Sequence, residues 1–280
     1  MTDRRSFLRC ASLAAAALPA AAYSQGRLPP PPEITADSCI VIDAVTGASM
    51  FEKNADERRP VASTQKLLSA LVAVESTSMD KITTVLAAET RVEPHKLYLK
   101  TGEKLPLRTL LEAMLIESCN DCAHCLGRSC AGSETRFADW MNRRAARLGM
   151  TSSRFVNASG LPAEGQYSTA RDMSRVARAA LFNKTIRAIV GRSEITITRG
   201  DGRTKKLETT NYLLRRNNTN YLPVCNGMKT GYTNAAGKCL VSSATFRGRT
   251  VICVMLRSSS KVIWKESGAL LNWSLGLSMD

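Results

Sequence analysis

The chain has 280 residues, 44% of them hydrophobic and 22% charged, which excludes a disordered polymer and leaves room for one large domain or two small ones. Its formal net charge of +15 is spread along the sequence rather than gathered into a run, and no nucleic-acid motif accompanies it. A solvated basic surface is therefore expected, not a nucleic-acid-binding protein.

In chain order, the first feature is a targeting segment over residues 1–22. Arg4-Arg5 precedes Ser6-Phe7-Leu8-Arg9 in a pattern similar to a twin-arginine export signal, and an alanine-rich run follows from Ala11 to Ala22, broken by Pro19. A spanning helix needs about 20 apolar residues, so the run is too short to cross a membrane. The small residues Ala20 and Ala22 suit a peptidase cutting near Tyr23. Residues 23–33, with four consecutive prolines from Pro29 to Pro32, read as a stiff extended linker. The expected domain is 34–276, with no C-terminal β domain and no membrane anchor.

Cys39 to Asp43 reads as a buried strand, Thr46-Gly47 as a turn, and Ser49 to Glu52 as the second strand of a hairpin. Leu67, Leu68, Leu71 and Val74 recur at helical spacing after Ser63. Leu107 to Glu117 is a second amphipathic helix with Pro106 at its start, and residues 119–130, 134–148 and 172–182 continue a helical centre. After about residue 190 the texture becomes strand-like. Glu194 to Thr198 alternates, Cys239 to Ala244 and Thr250 to Leu256 form a hairpin through Arg247-Gly248-Arg249, and Val262 to Leu275 closes as a helix. Strands at both chain ends around a helical middle predict an α/β fold: a mainly antiparallel sheet built from distant segments, flanked by helices, with a helical lobe.

Three short motifs carry chemistry. Ser63-Thr64-Gln65-Lys66 reads S-x-x-K, Ser118-Cys119-Asn120 reads S-x-N, and Lys229-Thr230-Gly231 reads K-T-G. S-x-x-K recurs at Ser78–Lys81 and Ser258–Lys261, and K-T-G at Lys100–Gly102; these are set aside because no comparable apolar helix, or no strand, follows them. A serine hydroxyl needs a base. The two histidines, His95 and His124, lie outside any triad-like motif and read as surface or packing residues. Lys66, one helical turn from Ser63, is the candidate base if burial, its helix terminus and a second cation at Lys229 lower its pKa. Ser118 can relay a proton, and the amide of Asn120 can orient Lys66 and hold a substrate carbonyl. Lysine and threonine on an edge strand can hold a carboxylate, with Gly231 letting a substrate backbone lie close.

With Phe155 to Pro162, Tyr167 to Met173 and Lys229 to Thr233, these motifs resemble the D-alanyl-D-alanine carboxypeptidases, low-molecular-mass penicillin-binding proteins of the serine-lysine class. The resemblance implies a penicillin-binding/β-lactamase-like fold. It implies catalysis by Ser63, Lys66, Ser118 and Asn120, and substrate binding by Lys229, Thr230, Gly231 and Tyr232. The backbone N–H groups of Ser63 and Tyr232 would make the oxyanion hole. The implied partners are peptidoglycan stem peptides and β-lactam inhibitors, with no metal or organic cofactor. A monomer, exported to the periplasm or cell wall, is expected. A DD-endopeptidase carries the same motifs. A β-lactamase would need a second base, and only Glu164 lies nearby; a wall-binding module without catalysis would not need the intact Ser63 and Lys66. The nine cysteines depart from the family pattern. Cys119, Cys122, Cys125 and Cys130 loosely resemble an iron–sulfur run, but buried free thiols are preferred over disulfides or a cluster. Cys119 stands out because it lies inside S-x-N.

Overall fold

The computed structural model describes residues 28–277, so the targeting segment and the first part of the proline-rich stretch lie outside the described residues. Residues 28–37 run without helix or strand, and the carbonyl of Pro29 accepts a hydrogen bond from Trp273 Nε1 at 2.7 Å.

The chain then forms β1 (Ser38–Asp43) and β2 (Ser49–Lys53), a 3₁₀ turn (Ala62–Gln65) running into α1 (Lys66–Ser76), β3 (Ile82–Thr84) and the short α2 (Ala87–Thr90). The middle continues with β4 (Lys104–Pro106), α3 (Leu107–Ile116), α4 (Asn120–Ala131), α5 (Glu134–Arg147), α6 (Ala170–Phe182) and α7 (Lys184–Val190). A hairpin of β5 (Glu194–Thr198) and β6 (Thr204–Glu208) follows. The chain closes with β7 (Cys225–Thr233), β8 (Gly237–Phe246), β9 (Arg249–Ser258) and α8 (Ile263–Leu275).

One five-stranded sheet joins the two chain ends in the order β2-β1-β9-β8-β7, antiparallel throughout. Side chains alternate across a strand, so each strand feeds two cores. Ile40, Ile42, Val241, Ile252 and Val254 face the larger core, which extends through α1, α3, α4 and α6. Cys39, Val41, Leu240, Val251 and Cys253 face a second core closed by Leu270, Leu271 and Trp273 of α8. Burial on both faces explains why these strands read as nearly continuous apolar runs. No helix among the described residues is long and apolar enough to cross a membrane.

The structure differs from the sequence expectation in places. Glu194–Thr198 pairs with β6 in a separate two-stranded sheet, not with the main sheet. β3, β4, β6 and α7 are elements the periodicity did not signal; β3 and β4 are three residues each, too short to show alternation. The Ser258–Lys261 decoy precedes α8, the closing helix that the sequence indicates; its serine ends β9, and α8 packs in the second core while α1 packs in the larger one. Lys100–Gly102 forms a turn as expected, yet the short β4 follows it.

Asp121 anchors the segment beside α4. It is fully buried, and its carboxylate accepts hydrogen bonds from the backbone N–H of Leu97 (3.0 Å), Leu99 (3.1 Å) and Cys122 (2.8 Å). Removing it strands three interior donors, at about 1–3 kcal/mol each before relaxation. Asp121→Ala is therefore expected to destabilise the protein by roughly 3–5 kcal/mol in denaturant melts; a loss below about 1 kcal/mol would show that water replaces the carboxylate.

Candidate active site

Ser63 sits in the 3₁₀ turn that feeds α1, and Lys66 is the first residue of that helix. The turn is held under backbone strain: Ala62, just before Ser63, has φ +48°. The buttress is the loop from Asn157 to Leu161. Gly160 has φ +84°, and a Cβ on it would lie 2.1 Å from the carbonyl oxygen of Ala62, so only glycine fits there. Asn157 locks this loop by accepting from the N–H of Gly160 at 2.8 Å, and Gln65 Nε2 donates to the Asn157 carbonyl at 2.7 Å.

Lys66 is fully buried, with Nζ at 2.7 Å from Ser63 Oγ, 2.6 Å from Asn120 Oδ1 and 2.7 Å from the carbonyl oxygen of Ser159. Two of these neighbours only accept hydrogen bonds. A neutral amine has two N–H donors and one lone pair, so donating to Asn120 and Ser159 leaves the lone pair facing the Ser63 hydroxyl. Burial, and after it the nearby Lys229, push the Lys66 pKa well below the ordinary lysine value. The expected direction is present, with two of the three expected causes: desolvation, the larger, and Lys229.

Asn120 opens α4, and its amide is occupied on both sides: Oδ1 takes Lys66, while Nδ2 donates to the Pro94 carbonyl at 2.5 Å. Its backbone N–H donates to the His95 carbonyl at 2.7 Å. Its Oδ1 thus meets the Lys66 amine from a fixed position. Ser118 lies in the link between α3 and α4 at φ +66°, 9% exposed. The helix before it ends at Ile116 with Glu117 as its cap, as its sequence indicated.

Lys229, Thr230, Gly231 and Tyr232 follow one another on β7, the edge of the main sheet. Lys229 is buried, its Nζ donates to the Thr230 carbonyl at 3.0 Å, and burial lowers its pKa to about 7. Thr230 Oγ1 pairs with Thr210 Oγ1 at 2.6 Å. A Cβ on Gly231 would lie 3.0 Å from the backbone N of Ser63 and 3.1 Å from that of Thr64, so glycine lets β7 run against the nucleophile's turn. Tyr232 is exposed, with Lys238 Nζ 4.6 Å above its ring. A groove of about 480 Å³ runs beside this strand, lined by His95, Lys96, Cys119, Lys206, Thr210 and Arg215 among others.

Some contributors were not legible as site residues. Ser159 and Pro94 act through backbone carbonyls, which carry no side-chain signature. His124, read as a packing residue, is one: its ring bridges Glu134 Oε1 at 2.5 Å and Ser159 Oγ at 3.0 Å behind the lysine. The described cysteines are free thiols, six buried and two half-buried. The sulfurs of Cys119 and Cys122 converge with the Asp121 carboxylate, whereas Cys125 turns toward Arg128, whose Nη2 donates to it at 3.6 Å.

Residues 25–260 match the model of a peptidase family described as D-alanyl-D-alanine carboxypeptidase. The D-alanyl-D-alanine carboxypeptidase DacF of Bacillus subtilis is 30% identical over 232 residues, covering 80% of this chain and 58% of that protein. A D-alanyl-D-alanine endopeptidase of Pseudomonas aeruginosa is 30% identical over 251 residues, 88% of this chain and 79% of the relative. The solved structure of a Mycobacterium tuberculosis D-alanyl-D-alanine carboxypeptidase superposes with a TM-score of 0.83 at 30% identity, over 90% of this chain and 96% of that one. The chain thus spans a little over half the length of DacF.

The two lysines set opposite limbs of a pH profile. A lysine can act as a base only when neutral, so a rate that uses Lys66 as base rises with pH through its lowered pKa. A lysine can hold a carboxylate only when charged, so an affinity that depends on Lys229 falls as pH rises through about 7. The second-order rate of acylation by a penicillin is expected to be bell-shaped. Lys229→Gln is expected to lower that rate by about ten- to a hundredfold, to remove the alkaline limb, and to move the acid limb to higher pH because the cation that depresses the Lys66 pKa is gone. Stopped-flow rates across pH would check it; an unchanged alkaline limb would exclude Lys229 as its source.

Proposed function

The chain belongs to the D-alanyl-D-alanine carboxypeptidase family of serine peptidases, and from that premise we propose that it removes the terminal D-alanine from peptidoglycan stem peptides through an acyl-enzyme on Ser63. One observation supports this most: the Lys66 amine sits 2.7 Å from Ser63 Oγ with its other two contacts on oxygens that accept hydrogen bonds.

In this reading Ser63 Oγ attacks the carbonyl of the penultimate D-alanine as its proton passes to Lys66. The ammonium that forms is met by Asn120 Oδ1 and the Ser159 carbonyl without rearrangement, which keeps the reorganisation cost low. Ser118 carries the proton on to the leaving amine. The backbone N–H groups of Ser63 and Tyr232 receive the developing oxyanion, and Lys229 and Thr230 hold the terminal carboxylate. The substrate backbone extends β7 as an added strand, as an open sheet edge permits. Water then releases the acyl group. In this reading penicillins follow the same path and stop at the acyl-enzyme; the acid nearest the Ser159 loop in sequence, Glu164, is exposed in a turn.

A substrate in the wall requires export, and residues 1–22 serve this reading as a twin-arginine-type signal cut near Tyr23. N-terminal sequencing of the exported protein checks the cut; an intact Met1 in that fraction would exclude it. The endopeptidase named among the relatives keeps a second reading open, in which the leaving group is a cross-linked stem.

Intact-mass measurement after penicillin treatment is expected to show one adduct, mapped to Ser63, absent in Ser63→Ala and lasting many minutes. Rapid turnover would instead indicate a β-lactamase. With wall fragments, free D-alanine is the expected product, and loss of dimers without it would favour the endopeptidase.

A further inference from the structure

Cys119-Asn120-Asp121-Cys122 is a C-x-x-C sequence wrapped around the residue that orients the base. Cys119 is the N-cap of α4 and Cys122 lies three residues on, in the first turn. This is the spacing at which an N-cap side chain reaches back over its own helix. Their sulfurs lie within 4.8 Å of each other. The third member of that cluster, Asp121, has its carboxylate taken up by three backbone N–H groups, so two sulfurs alone remain, too few for a zinc site. Neither thiol has a role in the acyl-transfer path. C-x-x-C at a helix N-terminus is instead a dithiol arrangement suited to reversible oxidation.

We propose that Cys119 and Cys122 form a reversible intramolecular disulfide under hydrogen peroxide, and that this bond disables the active site. The second half of the inference rests on the acyl-transfer reading above. Access selects the oxidant. Cys119 borders the groove but is 1% exposed, and Cys122 is fully buried, which excludes a bulky protein disulfide as oxidant and favours a small peroxide entering from the groove. The Cys119 sulfur attacks one peroxide oxygen and the O–O bond breaks. The departing hydroxide takes up the thiol proton as water, leaving a sulfenic acid. The Cys122 sulfur then displaces the sulfenic hydroxyl, which leaves with the second thiol proton as another water. Two thiols are oxidised by two electrons and one peroxide is reduced to two waters. Burial pushes the Cys122 thiol pKa well up, which suits it to the second, resolving step rather than the first.

The bond would act on catalysis through Asn120. Bridging draws the sulfurs to about 2.05 Å and tightens the four-residue loop that contains Asn120. That residue holds Lys66 at 2.6 Å and is itself pinned by Pro94 and His95, so it cannot follow the loop without loosening one contact or the other. A misplacement of about 1 Å in such a site costs up to a hundredfold in rate.

The test uses the whole exported protein, reduced and then exposed to hydrogen peroxide. Free thiols are alkylated, the 119–122 peptide is mapped by mass, and penicillin acylation is timed. The expected result is a Cys119–Cys122 bond, a fall in acylation of at least about tenfold, and recovery with dithiothreitol. Cys122→Ala, when reduced, is expected to acylate like the parent, to form no bridge, and under peroxide to take up dimedone at Cys119. Two alkylated thiols after oxidation, or a bridged enzyme that acylates at full rate, would overturn the proposal. If the reduced parent does not acylate at all, the acyl-transfer reading fails, and the peptide mapping still decides whether the bond forms.

Discussion

The active-site architecture depends on burying the amine of Lys66 with no carboxylate hydrogen-bonded to it. A lysine ammonium is costly to remove from water, and that cost pushes the Lys66 amine toward its neutral form. Neutrality in turn demands a particular cage: two acceptors for the two N–H groups, and a hydroxyl for the lone pair. Asn120, the Ser159 carbonyl and Ser63 supply those from three distant parts of the chain. A carboxylate in place of Asn120 would stabilise the ammonium and remove the base. A hydrophobic residue would leave an N–H unsatisfied. The amide is the group that accepts a hydrogen bond without supplying charge, which gives the middle motif its asparagine a physical reason.

The rest of the fold serves to bring those three parts to one point and hold them. The sheet fixes β7, and β7 fixes Lys229 close enough to lower the pKa of Lys66 further. Two glycines set the spacing by what they lack. Gly231 lets the edge strand lie against the backbone of Ser63, and Gly160 lets the buttress loop press on Ala62. The strained Ala62 backbone is thus bounded on two sides, so the turn has little freedom to relax away from the lysine. Strain of this kind is tolerable because α1, immediately downstream, is buried along most of its length in the larger core.

What was legible in the sequence follows from the physics of each signal. The central strands, β1, β8 and β9, were readable because burial on both faces makes continuous apolar runs, and α1, α3 and α6 because one face repeats at helical spacing. The three motifs were readable because their signal lies in side-chain type and spacing. β3 and β4 were not, being too short to show a period. The Ser159 and Pro94 carbonyls were not, because any residue offers a carbonyl and only the tertiary fold aims it. Phe155 to Pro162 was visible as a resemblance, but its job as a buttress to the nucleophile's turn was not. His124 was read as a packing residue, which it is, yet its partners place it behind the carbonyl that receives Lys66.

Cys119 shows how the same constraint reaches residues without a catalytic role. The position between Ser118 and Asn120 is buried, so a small apolar side chain suffices for packing, and a thiol meets that need. A second thiol at 122 meets it equally well. Each thiol is ordinary alone; together, at the first turn of one helix, they make a pair whose chemistry would not be neutral to the site. Because Lys66 tolerates no slack at Asn120, any change in the loop bounded by those sulfurs acts on the base. The tight cage around the Lys66 amine is therefore also what would couple this site to the oxidation state of two residues outside the proposed acyl-transfer path.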